Sequence, residues 1–259
     1  MTQINFSVVR SLFSPMDLSA LKEHWSRLHG GDCEPWPESE SLQKAWLLFH
    51  NGHFQDCANI SHGQAGFETL RLKALSTYAH YLETDKKKKV DSLLNVVNEA
   101  ESLLNSSSGE IPNIHYQLAF SLGRYGQFIS VTKALSEGLA SRISKALKKC
   151  MSIEPNHADA HTAYATYQAE IIGKLGKMAA RFTYSATPEG AIEYYEKGVQ
   201  LAPYSVSAKT EYADGLLTMF SRKKQKQAIE LYQAAVSNPP VDALEALDYF
   251  LAQKELSEV

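Results

Sequence analysis

His157 and His161 stand four residues apart in the run Asn156-His157-Ala158-Asp159-Ala160-His161. On a helix that spacing brings both imidazoles to one face, the first requirement of a metal site. A zinc hydrolase of the H-E-x-x-H type also needs a glutamate directly after the first histidine, and Ala158 holds that place. No third ligand is close in sequence, so the pair reads as structural, and neither metal nor cofactor is expected. A metal-dependent enzyme using His157, His161 and Asp159 is the alternative.

Cys33, Cys57 and Cys150 are odd in number, far apart and without a C-x-x-C pair. Free thiols in a reducing compartment fit that pattern better than a disulfide framework. As nucleophiles they would each need a histidine nearby in space. Cys57 and Cys150 fall where helical hairpins need small apolar residues, and Cys33, beside Trp36, is the one thiol expected at the surface.

Lys86 to Lys89 form one basic run, and Arg222-Lys223-Lys224 with Lys226 form another. Asp85 and Asp91 flank the first, and no aromatic interleaves it, so it reads as a solvated helix start. Nucleic-acid binding through Lys86–Lys89 is a further alternative, disfavoured by the formal net charge of −3. Gly173-Lys174-Leu175-Gly176-Lys177 lacks the G-x-x-x-x-G-K-[ST] spacing of a phosphate loop, and no strand precedes it. With no catalytic constellation, the chain is not expected to be an enzyme.

The elements that would position these residues are helices. In 259 residues there are 9 Pro and 14 Gly, and apolar residues recur at helical spacing almost throughout. No run approaches the ~18 apolar residues of a membrane span. Met1 to Pro15 holds no secretory apolar core, so a cytoplasmic chain without membrane contact is expected. Ser14 as a cap and Pro15 at the first helical position predict a helix ending near His29. Further helices are expected at 42–51 and 53–61, hinged at Gly52, and at 67–82, 87–104, 112–125, 131–153 and 157–176. Beyond these come 188–201, opened by Thr187-Pro188-Glu189, then 205–220, 223–237 and 240–256. Ser106-Ser107-Ser108-Gly109 is the best boundary. It divides a region 1–105, with a hairpin at 42–61, from a region 110–259, unless one solenoid runs through both.

Three segments end alike: Ala146-Leu147 to Cys150 and Pro155; Ala191, Tyr195, Gly198 and Pro203; Ala228, Tyr232, Ala235 and Pro240. A small residue lets two helices cross closely, an aromatic fills the gap toward the next pair, and Pro stops the helix. Each hairpin leaves a face uncovered that stacking buries.

These offsets resemble the tetratricopeptide repeat, as do Trp46, Leu48, Gly52, Phe54 and Cys57 in the 42–61 hairpin. Pro155 to Pro203 spans 48 residues and Pro203 to Pro240 spans 37, against about 34 in the standard unit. About ten extra residues therefore sit near Lys177 to Ala186. Across about 115–220, Tyr116, Ile153-Glu154-Pro155-Asn156, Ala160-His161, Ser185-Ala186-Thr187, Ala191-Ile192 and Leu201-Ala202-Pro203 resemble the variant repeat domain of the regulator of microtubule dynamics family. The resemblance implies an all-α, right-handed α-α superhelix of antiparallel hairpins, a TPR-like solenoid. The first helix of each pair would line a concave groove that accepts a protein or peptide. Counted on that register, Asp159, Thr162, Thr166, Glu170, Thr210, Ala213 and Leu217 face inward. The Lys/Asn/Arg clamp for a terminal carboxylate is missing from those positions. The function expected is a non-enzymatic scaffold or adaptor. Of the tyrosines dense in the C-terminal half, most belong to the hairpin core and the remainder line the groove.

Overall fold

The computed structural model describes residues 4–106 and 111–259, so Ser107, Ser108 and Gly109 of the expected boundary lie outside the described residues. Among those described the chain is all helical, with no strand. The N-terminal region contains α1 (Phe6–Arg10), α2 (Leu18–Leu28), α3 (Glu40–His50), α4 (Phe54–Ile60) and α5 (Glu68–Thr77). The last of these runs into a wide π-helical turn, Tyr78–Leu82. Next come α6 (Lys86–Asn105), α7 (Pro112–Gly126), α8 (Val131–Ser136), α9 (Leu139–Ile153), α10 (Ala158–Leu175), α11 (Lys177–Tyr184) and α12 (Pro188–Leu201). After α13 (Val206–Phe220), a single 3₁₀ turn, Ser221–Lys224, leads into α14 (Gln225–Ala235), and α15 (Ala243–Glu258) ends the chain.

Most starts are set by side-chain caps. The carboxylate of Asp85 accepts from the Lys88 amide, the hydroxyls of Thr187 and Ser205 accept from Gly190 and Ala208, and Asp242 accepts from Glu245. At α2 the cap is Asp17, accepting from Ala20 at 2.8 Å, and not Ser14. The carboxylate three residues further on competes better for the orphan amides, and Pro15 lies outside the helix. The single helix expected at 131–153 is two, because Gly138 takes φ +61° and turns the chain between α8 and α9. The extra residues near 177–186 are themselves helical and make α11.

The small and aromatic positions of the recurring segments are buried: Ala146, Cys150, Ala191, Tyr195, Ala228, Tyr232 and Ala235. At Gly198 a Cβ would come within 2.3 Å of Thr162 Oγ1 and 3.2 Å of the Ala158 carbonyl. Close crossing of α10 and α12 therefore requires hydrogen at that position. One apolar core joins residues of α5, α6, α7, α9 and α10, on both sides of the 107–110 segment. Another joins α1 to α5 with Ala243, Ala246 and Leu247 of α15. The last helix thus returns to the first ones. The Arg27–Glu245 ion pair at 2.9 Å, 218 residues apart in sequence, lies on the same seam.

Candidate functional site

The seam carries a row of buried polar side chains. α2 delivers His29 at its end, and the Gly30-Gly31 turn brings Asp32 back beneath it; α3 contributes His50, and Asp242 caps α15. Asp32 Oδ1 meets His29 Nδ1 at 2.8 Å, His29 Nε2 meets His50 Nε2 at 3.1 Å, and His50 Nδ1 meets Asp242 Oδ2 at 2.7 Å. The Lys73 ammonium of α5 donates to the other oxygen of Asp32. Trp25 stacks on His29 with centroids 3.9 Å apart, and Trp46 closes its edge.

Three hydrogen bonds in a row need three protons, and two neutral imidazoles supply two. Burial is the largest influence on His29 and pushes it down to about 4 despite the Asp32 carboxylate. His29 is therefore neutral, donating from Nδ1 and accepting at Nε2. His50 must then donate its Nε2–H, so a third proton lies between His50 Nδ1 and Asp242. Asp32 would be raised by burial, but His29 and Lys73 together outweigh this and hold it well below the usual carboxylate range.

Beside the seam, side chains from five elements face a common interior. These are Tyr81 of the π turn, Tyr116 and Arg124 of α7, Asp159 and Thr166 of α10, Glu211 and Asp214 of α13, and Asp248 of α15. All are half-buried rather than buried. The Arg124 and Glu211 side chains keep 24% and 25% of their surface accessible, and their ion pair measures 2.9 Å. Thr166 bridges Glu211 Oε2 at 3.1 Å and the Tyr195 hydroxyl at 3.0 Å. Tyr81 donates to Asp248, Tyr232 to Asp214, and Asn113 Nδ2 to Glu34 at 2.6 Å.

Carboxylates outnumber cations here, and burial together with their mutual charge raises their proton affinities. Burial, then the charge of Asp32, raises Asp159 to about 6 and Glu34 to about 7. Burial and Glu211 raise Asp214 to about 7. Burial, with Asp159, Asp242 and Glu211, raises Asp248 to about 7 against the Tyr81 hydrogen bond. Among the described residues, Lys73 and Arg124 oppose them in this interior, and they are already engaged with Asp32 and Glu211. Such a surface is suited to holding added positive charge.

Of the groove residues expected from sequence, Asp159 and Thr166 reach this interior. The Asp159 amide also donates to the Gly31 carbonyl at 2.9 Å. Glu170 is exposed and pairs with Lys174 at 2.8 Å. Thr210 bonds back to the Val206 carbonyl at 3.0 Å. Thr162 and Ala213 are buried, Thr162 against Gly198 and Ala213 beside Ala228 and Tyr232, while Leu217 packs on that second cluster. The helices are rotated so that these three fill helix–helix contacts, because the small residues opposite leave room only there. Tyr81, Tyr116, Arg124, Glu211 and Asp248 went unread as site residues. The available signal was an arginine, a glutamate and an aspartate on helix faces otherwise fit for core.

The histidine pair does not converge. His157 Nε2 meets Asn113 Oδ1 at 2.8 Å, and its Nδ1 caps α10 by accepting from Ala160 at 3.1 Å. His161 donates from Nε2 to the Pro155 carbonyl at 2.9 Å and stacks on Tyr194. Among the described residues no group of three His, Cys, Asp or Glu is placed to hold a metal ion. Cys33 is half-buried rather than at the surface, and its thiol donates to the Asn156 carbonyl. Burial raises it to about 11 and Cys57 to about 12, and it raises the buried Cys150 as well, so none is a ready thiolate. Lys86 to Lys88 are exposed, whereas Lys89 is buried and donates to the His80 carbonyl at 3.0 Å. No family model matches the chain, and a search of the curated proteins finds no match.

Proposed function

We propose that the chain is a helical-repeat binding protein, a non-enzymatic scaffold that holds a protein or peptide partner against its inner surface. More particularly, we read it as a tetratricopeptide-type scaffold with a lengthened repeat, whose partner segment carries Lys or Arg side chains. The repeat assignment is supported by the buried small–aromatic–small positions of α12 and α14 and by the close crossing of α10 and α12. The single observation that carries the partner chemistry is the surplus of carboxylates facing the interior. Asp159, Asp214 and Asp248 are pushed up to between about 6 and about 7, by burial first and by neighbouring carboxylates after it.

A cationic segment seated there would relieve that repulsion and lower those carboxylates, so binding near pH 6 releases protons. Calorimetric titration with a Lys/Arg-rich peptide, in buffers of different ionisation heat, measures both affinity and proton release. Binding of the basic peptide with proton release, weakened by adding Asp248→Asn to Asp214→Asn, is the expected result. Equal binding of an acidic peptide of the same length, or binding of neither, refutes the reading.

A further inference from the structure

α11 packs Ala180 and Tyr184 on the core and leaves its other large apolar side chains uncovered. Met178 and Phe182, one helical turn apart, are 76% and 82% exposed, and Leu175 just before the helix is 45% exposed, while Ala180 on the opposite side is buried. Bulky apolar groups left in water on a single short helix signal a contact that the isolated chain does not make.

The surroundings of this patch are cationic, although the chain as a whole is acidic. Lys174, Lys177 and Arg181 flank it along α10 and α11. The Lys177 ammonium lies 4.7 Å over the Phe220 ring at the end of α13. That contact sets the next turn, with exposed Arg222 and Lys223, along the same edge. The acids nearby are few: Glu170 is paired with Lys174, Glu230 with Lys226, and Glu189 borders the base of α11.

We propose that α11 and this edge dock on an anionic lipid bilayer. The hollow beside Met178 and Phe182, bounded by Lys177, Arg181, Thr187, Pro188 and Glu189, has a volume of about 340 Å³, too small to seat a partner helix along its length. Three apolar side chains fall far short of the ~800 Å² per partner of a standard protein interface. A bilayer has neither requirement: a few apolar anchors enter the headgroup boundary, and the surrounding Lys and Arg meet anionic headgroups. Among the described residues no helix is long and apolar enough to cross a membrane, and lying on one needs no such helix. The inference does not depend on the acidic interior.

Flotation of the full chain with vesicles of phosphatidylcholine alone, or mixed with phosphatidylserine, tests it. The wild type is expected to float with the mixed vesicles, at least tenfold more than with phosphatidylcholine, and to be released by salt. Met178→Asp with Phe182→Asp is expected to lose at least tenfold of that binding at an unchanged melting temperature, since both side chains are already exposed. Phe182→Trp is expected to keep binding and shift its fluorescence to the blue on the mixed vesicles. Absence of wild-type binding, equal binding to both vesicle types, or an unaffected double aspartate variant overturns the proposal. So does a dimer in sedimentation that the double variant abolishes without vesicle binding.

Discussion

The polar interior is decided by single side chains whose ionisation is set by what surrounds them. Among the described residues Lys73 is the full cation bonded to Asp32. Lys73→Met leaves a buried carboxylate against a neutral imidazole, and urea unfolding is expected to show a loss of about 3–5 kcal/mol. Adding Asp32→Asn should recover part of that loss. The pH dependence has opposing contributions. His29 and His157 are lowered to about 4 by burial. Their stabilisation is present above the unfolded value near 6.5 and is lost as pH falls toward 4. Glu34, Asp159, Asp214 and Asp248 are raised to between about 6 and about 7. Their contribution is present at acid pH, below their unfolded values near 4, and is lost as pH rises through 6 to 7. Burial also raises Glu245 and lowers His80, and five raised carboxylates outweigh three lowered imidazoles between pH 5.5 and 7. The melting temperature is therefore expected to be higher near pH 5.5 than at pH 8. Asp248→Asn, which keeps an acceptor for Tyr81, should flatten the difference, and a melting point that rises with pH would contradict the assignment.

At the level of helices, local rules explain most starts and one unexpected break. Thr187 with Pro188 opened α12 as its sequence predicts, since a hydroxyl cap and a fixed φ act without tertiary help. Gly138 divided a segment whose apolar spacing reads continuously, because spacing reports a buried face and not the backbone conformation between two helices. Side-chain orientation within α10 was legible only in part. Asp159 and Thr166 face the polar interior, whereas Thr162 turns toward Gly198, since the missing Cβ there admits α10 more closely than an ordinary contact. Gly198→Ala is expected to cost about 1–3 kcal/mol in chemical denaturation from overpacking. Adding Thr162→Ala removes the clashing hydroxyl and should restore most of it. Additive losses in the two variants would show that the crossing is looser than described.

Across the whole molecule, the return of α15 to α1–α3 makes the two ends of the chain one structural unit. Asp242 both caps α15 and accepts from His50, 192 residues away. Asp242→Ala removes both roles, and a loss of roughly 2–4 kcal/mol follows from a lost cap plus an unpaired buried imidazole. Hydrogen exchange should then quicken in α3 as well as in α15. Quickening confined to α15 would mean that the ends are energetically separate. The same closure bounds the interior on one side, so its acids face one another as well as the solvent. The cations meanwhile collect along the α11 edge, a separation that the net charge of −3 conceals.

The sequence alone determined that the chain is helical, and roughly where its helices lie. Periodicity, caps and prolines act over a few residues, and the small–aromatic–small spacing marks faces that must be buried. It could not show that Asp32, His29, His50 and Asp242 form one chain of hydrogen bonds. Nor could it show that Asp159, Glu211 and Asp248 share a space. Those groupings depend on contacts between residues up to about two hundred positions apart. Only the tertiary packing, of α10 on α13 and of the last helix on the first ones, and the desolvation that comes with it, brought those charges together and set which of them keep their protons.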